Sequence, residues 1–180
     1  MDDLPAGIEF LDRLKPRSGL AICEGNHDLI DDRGAFERIL LDEGLPILVG
    51  NQMLFEFRGQ PLQFLGVPWN PRDELMADSV QAIVPRIHRE AFPILLAHHP
   101  HSFDAAAQVG LPLVLSGHTH GGQLMINEKF GAGMVRFRYI SGLYQKQNSS
   151  LLVSNGIGNW FPLRINAPAE LLHITLRSVS

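Results

Sequence analysis

The sequence predicts an α/β fold, and three observations carry that expectation. Short apolar runs alternate with helix-period segments along the chain. Three of those runs, residues 19–23, 93–97 and 112–116, read as buried strands that each end in a polar motif. The chain has 180 residues, 45% of them hydrophobic and 19% charged, which suits one packed unit and excludes disorder as the main state.

Each element has a local reason. Residues 7–14 read as a helix that stops before Pro16. Residues 34–43 read as a second helix, with Asp31 or Asp32 as cap, Phe36, Ile39 and Leu40 on one face, and Gly44 past its end. Strands are expected at 46–49, 53–57 and 62–67, the last two joined by the Arg58-Gly59-Gln60-Pro61 turn. A helix is expected over 73–84, limited by Pro85. Residues 121–149 read as Gly-rich loops with short strands, and 150–154 and 170–176 as β. No repeat or linker divides the chain, so residues 1–180 are expected to form a single domain.

Charge and cysteine content narrow the chemistry. The net charge is −4 with no basic run, which argues against a nucleic-acid partner. No apolar run approaches a membrane span, and Met1-Asp2-Asp3 is no signal pattern, so the chain as given reads as cytoplasmic. The one cysteine, Cys23, rules out an internal disulfide and a cysteine-based zinc site, and reads as a small core residue. Five of the eight histidines fall between His98 and His120.

Three strand-end motifs concentrate this chemistry. Gly25-Asn26-His27-Asp28 offers an amide oxygen, an imidazole and a carboxylate that could orient a histidine. The bland alternative is a turn closed by Asn26 and Asp28. Ala97-His98-His99-Pro100 puts two histidines side by side, and on extended backbone only one of them faces a given side. Gly117-His118-Thr119-His120-Gly121-Gly122 puts His118 and His120 on one side if extended. Nitrogen and oxygen donors without sulfur suit Mn, Fe, Zn or Mg. Elsewhere His88 reads as surface, and His101 as exposed loop or a substrate contact. His173 reads as packed in or on the edge of a strand. Trp69, Trp160 and Phe161 read as packing residues or pocket lining.

The ordered set GNHD, HHP and GHTHGGQ resembles the calcineurin-like metallophosphoesterase family. The tail supports this, with Val153-Ser154-Asn155-Gly156-Ile157-Gly158, then Pro162 to Pro168 and Glu170. The likeness extends to a bacterial branch of phosphodiesterases and UDP-2,3-diacylglucosamine pyrophosphatases. It implies a two-sheet sandwich flanked by helices. The family's D-x-H and Gly-Asp blocks are absent from this chain. By that comparison the chain reads as N-terminally truncated, a fragment whose Met1 is an internal methionine and whose first strands are missing.

The resemblance also implies roles. Asn26, His98 and His118 would hold one divalent metal ion, and His120 would belong to a second. His98 is favoured over His99 because it stands two residues before Pro100. His27 would be the catalytic acid, with Arg164 and His101 as candidate substrate contacts. The implied activity is hydrolysis of phosphoric mono- or diesters, or of a pyrophosphate bond, by metal-activated water. The complete family site holds two ions, and this chain is expected to keep one. The substrate would be a small-molecule phosphoester or a nucleotide-lipid. With no bridging carboxylate, the isolated chain is expected to be weakly active or inactive, and prone to aggregate or pair. The full-length protein could be membrane-associated. A non-catalytic metal-binding or interaction protein is the alternative, and a mononuclear zinc hydrolase lacks an H-E-x-x-H helix to support it.

Overall fold

A computed structural model describes residues 4–30, 32–127, 130–131 and 137–177. Its centre is a six-stranded mixed sheet with the order β1-β2-β3-β4-β8-β7. The strands are β1 (Asn51–Phe57), β2 (Gln60–Gly66), β3 (Phe92–Leu96), β4 (Leu113–Ser116), β7 (Gly142–Lys146) and β8 (Ser149–Val153). A separate two-stranded sheet joins β5 (Met125–Asn127) to β6 (Phe130–Gly131). The helices are α1 (Leu4–Leu14), α2 (Arg33–Asp42), α3 (Asp73–Ile83) and α4 (Ser102–Gln108). This is a mixed α/β layer structure, as the sequence predicts.

Strands β2, β3, β4 and β8 run parallel, and β1 and β7 flank them antiparallel. Register explains the core. Leu65 pairs with Leu95, Leu95 with Val114, and Val114 with Leu151, so one row of apolar side chains crosses four strands. All four are fully buried and cluster with Val80 and Ile83 of α3 and Phe103 and Ala106 of α4. The alternate positions face the other way. There Phe55, Phe57, Phe64, Leu96 and Leu115, with residues 18–21, line an open apolar cavity of about 360 Å³.

Local chemistry explains the turns. Arg58 and Gly59 both have positive φ, 52° and 71°, so the β1–β2 turn is two residues long with the twist that hairpins favour. Asp32 caps α2 by accepting from the Ala35 N–H at 3.0 Å. Asp31, the other candidate cap, lies outside the described residues, as do Met1-Asp2-Asp3. Helix α3 ends at Ile83, and Pro85 sits in a 3-10 turn over Val84–Arg86.

Three strand expectations are corrected. Residues 19–23 and 46–49 form only a single parallel bridge, Ile22 to Ile47. Ile22 donates to the Pro46 carbonyl and accepts from the Leu48 N–H. The next ladder step backward needs an N–H on Pro46, which has none. The next step forward needs the Gly50 N–H, which instead goes to the Gly66 carbonyl at 2.9 Å. Residues 170–176 are not a strand either. Leu171 is 85% exposed, and no described segment pairs there, so alternation alone gives no ladder. His173 is exposed outside any strand, and His88 is exposed.

The parallel strands set up the site. Their carboxyl ends all open on one edge of the sheet, where Val67 to Trp69, His98, His118 and Asn155 follow β2, β3, β4 and β8.

Candidate functional site

Three donor atoms meet at this edge. His98 Nε2 lies 2.9 Å from Asn26 Oδ1. His118 Nδ1 lies 3.0 Å from the same oxygen and 3.1 Å from His98 Nε2. An amide oxygen only accepts, and each neutral ring nitrogen either donates or accepts. With both nitrogens protonated, two N–H groups oppose each other. With one protonated, a bare nitrogen opposes the oxygen. Every neutral tautomer therefore leaves one side of the triangle repulsive. A cation facing all three lone pairs removes that conflict. A spacing of about 3.0 Å is that of neighbouring donors around an octahedral ion held at about 2.1 Å. Asn26, His98 and His118 could thus hold a divalent metal. Among the described residues no three His, Cys, Asp or Glu side chains are grouped to hold one, because this set is two histidines and an amide.

The backbone imposes this meeting. Asn26 arrives from the Ile22–Ile47 bridge, on a loop tied to the end of β2. The buried Glu24 Oε1 accepts from the Trp69 N–H at 2.7 Å. Asp28 Oδ2 accepts from the Gly25 N–H at 2.7 Å and closes the turn, so it orients the loop rather than a histidine. Burial, partly offset by that bond, raises the Asp28 carboxyl above its ordinary range. Burial and then Asp28 push the Cys23 thiol up to about 11, which fits an inert packing residue. Gly25 passes across the His98 ring, where a Cβ would stand 3.0 to 3.2 Å from three ring atoms.

The histidine pair behaves differently from the extended-strand expectation. Strand β3 stops at Leu96, and residues 98–99 lie in a bend, so both rings reach the same neighbour. His98 sits 4.9 Å and His99 4.6 Å from His118, centroid to centroid. Phe137 and Trp69 flank His118 at 5.4 and 6.4 Å. Burial, reinforced by neighbouring histidines, lowers His98 and His99 to about 3. Both rings are neutral at physiological pH, the form in which imidazole binds a metal.

The GHTH segment is not extended. His118 and His120 have φ of 70° and 50°, a left-handed conformation that costs about 1–3 kcal/mol per residue and recurs at functional sites. The two rings consequently part. His118 faces Asn26 and His98, whereas His120 Nδ1 bonds to the Gly158 carbonyl at 2.8 Å and its ring meets Trp160 at 5.5 Å. Burial lowers the His120 pKa, with Arg164 and His27 contributing in the same direction. His27, exposed at the start of a 3-10 turn, is thus close enough for its charge to be felt at both His98 and His120.

His101 and Arg164 are already engaged. His101 is mostly buried rather than in an exposed loop, with a side chain 11% accessible. Its Nε2 accepts from the Arg138 N–H at 3.1 Å, so Nδ1 donates to Asp73 Oδ1 at 2.9 Å. That bond holds the Asp73 carboxyl below its ordinary range. Arg164 donates to the carbonyls of His120, Asn155, Gly156, Gly158 and Ala167 and to the Asn159 side chain. Phe161 is 39% exposed at the rim.

One organiser went unread in the sequence. Gln123 is fully buried, donates to the Phe161 and Leu163 carbonyls, and accepts from the Trp160 N–H at 2.9 Å. The only hint was its place at the end of GHTHGGQ. Its three partners lie about forty residues away, and no local pattern announces them.

Comparison with known proteins finds relatives across nearly the whole chain. A transmembrane protein with a metallophosphoesterase domain from Danio rerio is 31% identical over 97% of this chain and 42% of its own length. The metallophosphoesterase YkuE of Bacillus subtilis is 28% identical over 97% of this chain and 62% of its own. The phosphodiesterase YaeI of Escherichia coli is 27% identical over 93% of this chain and 63% of its own. Over most of its length the chain is similar to proteins named as metallophosphoesterases, and these relatives support that family for it. No family model matches it, and no solved structure does. The chain spans less than two thirds of the length of these relatives. Among the described residues no helix is long and apolar enough to cross a membrane. The family is one of hydrolases that use divalent metal ions.

Proposed function

We propose that this edge of the sheet is the metal-binding part of a phosphoester-hydrolysing site. The observation that carries the reading is the donor triangle of Asn26, His98 and His118, which no neutral tautomer satisfies. These three residues would hold one divalent ion. When bound, the ion would activate water and neutralise charge on phosphoryl oxygens. The rest is the work of side chains. Asn26 and the two imidazoles present neutral donors. His99, Phe137 and Trp69 pack around His118 and limit its rotation. His27 is exposed beside the cluster, and its ring N–H would donate to the leaving-group oxygen of a phosphoric mono- or diester, or of a pyrophosphate. Substrate contact is assigned to neither His101 nor Arg164, because their polar atoms are bonded within the chain.

No carboxylate belongs to the triangle, so affinity and rate are expected to be modest. The full chain loaded with Mn²⁺ and given bis-p-nitrophenyl phosphate tests this. The expected result is one Mn²⁺ per chain and slow hydrolysis above the metal-only background. His118→Ala loses both. His27→Ala keeps the metal and loses at least about 100-fold in rate. Metal bound with hydrolysis at background overturns the hydrolytic reading, and no metal bound overturns the whole of it.

A further inference from the structure

We infer that Arg164 is a positioning residue for His120, holding its ring in the tautomer whose Nε2 carries a free lone pair. The inference rests on the metal-site reading above, and deepens it. A guanidinium has five N–H groups in a planar fork. In Arg164 every nitrogen is engaged. Nη1 donates to the His120 carbonyl at 3.1 Å and the Ala167 carbonyl at 2.8 Å. Nη2 donates to the carbonyls of Asn155 at 3.1 Å, Gly156 at 3.4 Å and Gly158. Nε donates to Asn159 Oδ1.

Four of these carbonyls, those of His120, Asn155, Gly156 and Gly158, belong to two turns that Arg164 bridges. One is the left-handed turn after β4 that carries His120, with φ of 50°, 65° and 75° at residues 120–122. The other is the 155–158 turn after β8. Arg164 grips the first by the carbonyl of His120 itself. It grips the second by three carbonyls, one of which is Gly158. That Gly158 oxygen also accepts from His120 Nδ1 at 2.8 Å. A carbonyl cannot donate, so Nδ1 must carry the proton and neutral Nε2 must carry the lone pair. Arg164 thereby fixes His120 twice, by its main chain and by the acceptor of its ring. A lysine cannot replace it, because one ammonium cannot reach carbonyls spread across both turns.

The test is ring ¹⁵N NMR of the metal-free full chain above neutral pH, with Zn²⁺ as the added probe. In the wild type His120 is expected to show protonated Nδ1 and bare Nε2, with a coupling across the hydrogen bond to the Gly158 carbonyl carbon. In Arg164→Lys, with an unchanged far-UV spectrum, both tautomers are expected. The Zn²⁺ needed to shift Nε2 should then rise about 10–100-fold. A wild-type ring protonated on Nε2 overturns the proposal whether or not the variant folds. So does a folded Arg164→Lys with an unchanged tautomer. The expected tautomers with no Zn²⁺ response at Nε2 leave the positioning intact and instead overturn a metal role for His120.

Discussion

At the residue scale, the site depends on what is absent from Gly25 as much as on what the histidines present. A methyl group at this position would press on the His98 ring at 3.0 to 3.2 Å, and the ring would have to shift by a few tenths of an ångström. A displacement of that size matters little to packing and much to a donor held 2.9 and 3.1 Å from its two neighbours. Gly25→Ala is therefore expected to weaken Mn²⁺ binding about tenfold or more while stability moves by under about 1 kcal/mol. Calorimetric titration beside urea unfolding checks this. Equal metal affinity in the two proteins would mean that the His98 position is not set by Gly25. Gly121 is a second such position. Its φ is 65°, and a Cβ would stand 2.4 Å from Asn155 Oδ1, so the GHTHGG turn and the Asn155 turn interlock there.

At the element scale, the parallel strands decide which residues can meet. The Leu65, Leu95, Val114 and Leu151 row fixes the register of four strands against α3 and α4, and thus the height at which His98 and His118 emerge. Leu95 is fully buried in the centre of that row. Leu95→Ala is expected to destabilise the chain by about 2–5 kcal/mol through lost burial and a residual cavity. A urea midpoint within error of the wild type would refute that estimate. The pattern of short apolar runs made β3, β4 and β8 readable, since each stands between clear turn signals. It misled at 19–23 and 46–49, where Pro46 and the Gly50 bond to Gly66 limit pairing to one bridge. It misled at 170–176 because strand character needs a neighbour, and a neighbour is not a property of the segment.

At the scale of the whole molecule, burying two neighbouring histidines ties stability to pH. His98 and His99 are lowered from 6.5 to about 3 by burial and by the histidines around them. In the unfolded chain both titrate near their ordinary value. As pH falls below about 6.5 the unfolded state takes up protons that the folded state refuses, so stability falls. The loss approaches about 1.4 kcal/mol per pH unit for each histidine, until the folded rings titrate near pH 3. Above pH 7 these two groups contribute no pH dependence. Thermal melts of the chelator-treated chain from pH 8 to pH 4 should thus be level at first and then decline. A melting temperature that holds steady from pH 7 to pH 5 would show that the rings are not buried as described.

The sequence by itself determined the α/β class, most of the helices and sheet strands, and the three motifs that supply Asn26, His27, His98, His118 and His120. These are local properties: an apolar period, a proline or glycine stop, and a donor type at a strand end. It also placed a cap, Asp31 or Asp32, at the head of α2, because a cap acts within three residues, and the structure gives the bond to Asp32. Tertiary structure alone decided which histidines converge. The bend after β3 lets His99 join His98 against His118, and the left-handed backbone at residues 118 and 120 sends His120 to Gly158 instead. It alone assigned Gln123 and His101 to the scaffold, since their partners lie roughly thirty to forty residues away, and it alone showed Arg164 joining its near neighbours to His120, 44 residues back. A hydrogen bond has no sequence period, and only the folded chain shows where a donor finds its acceptor.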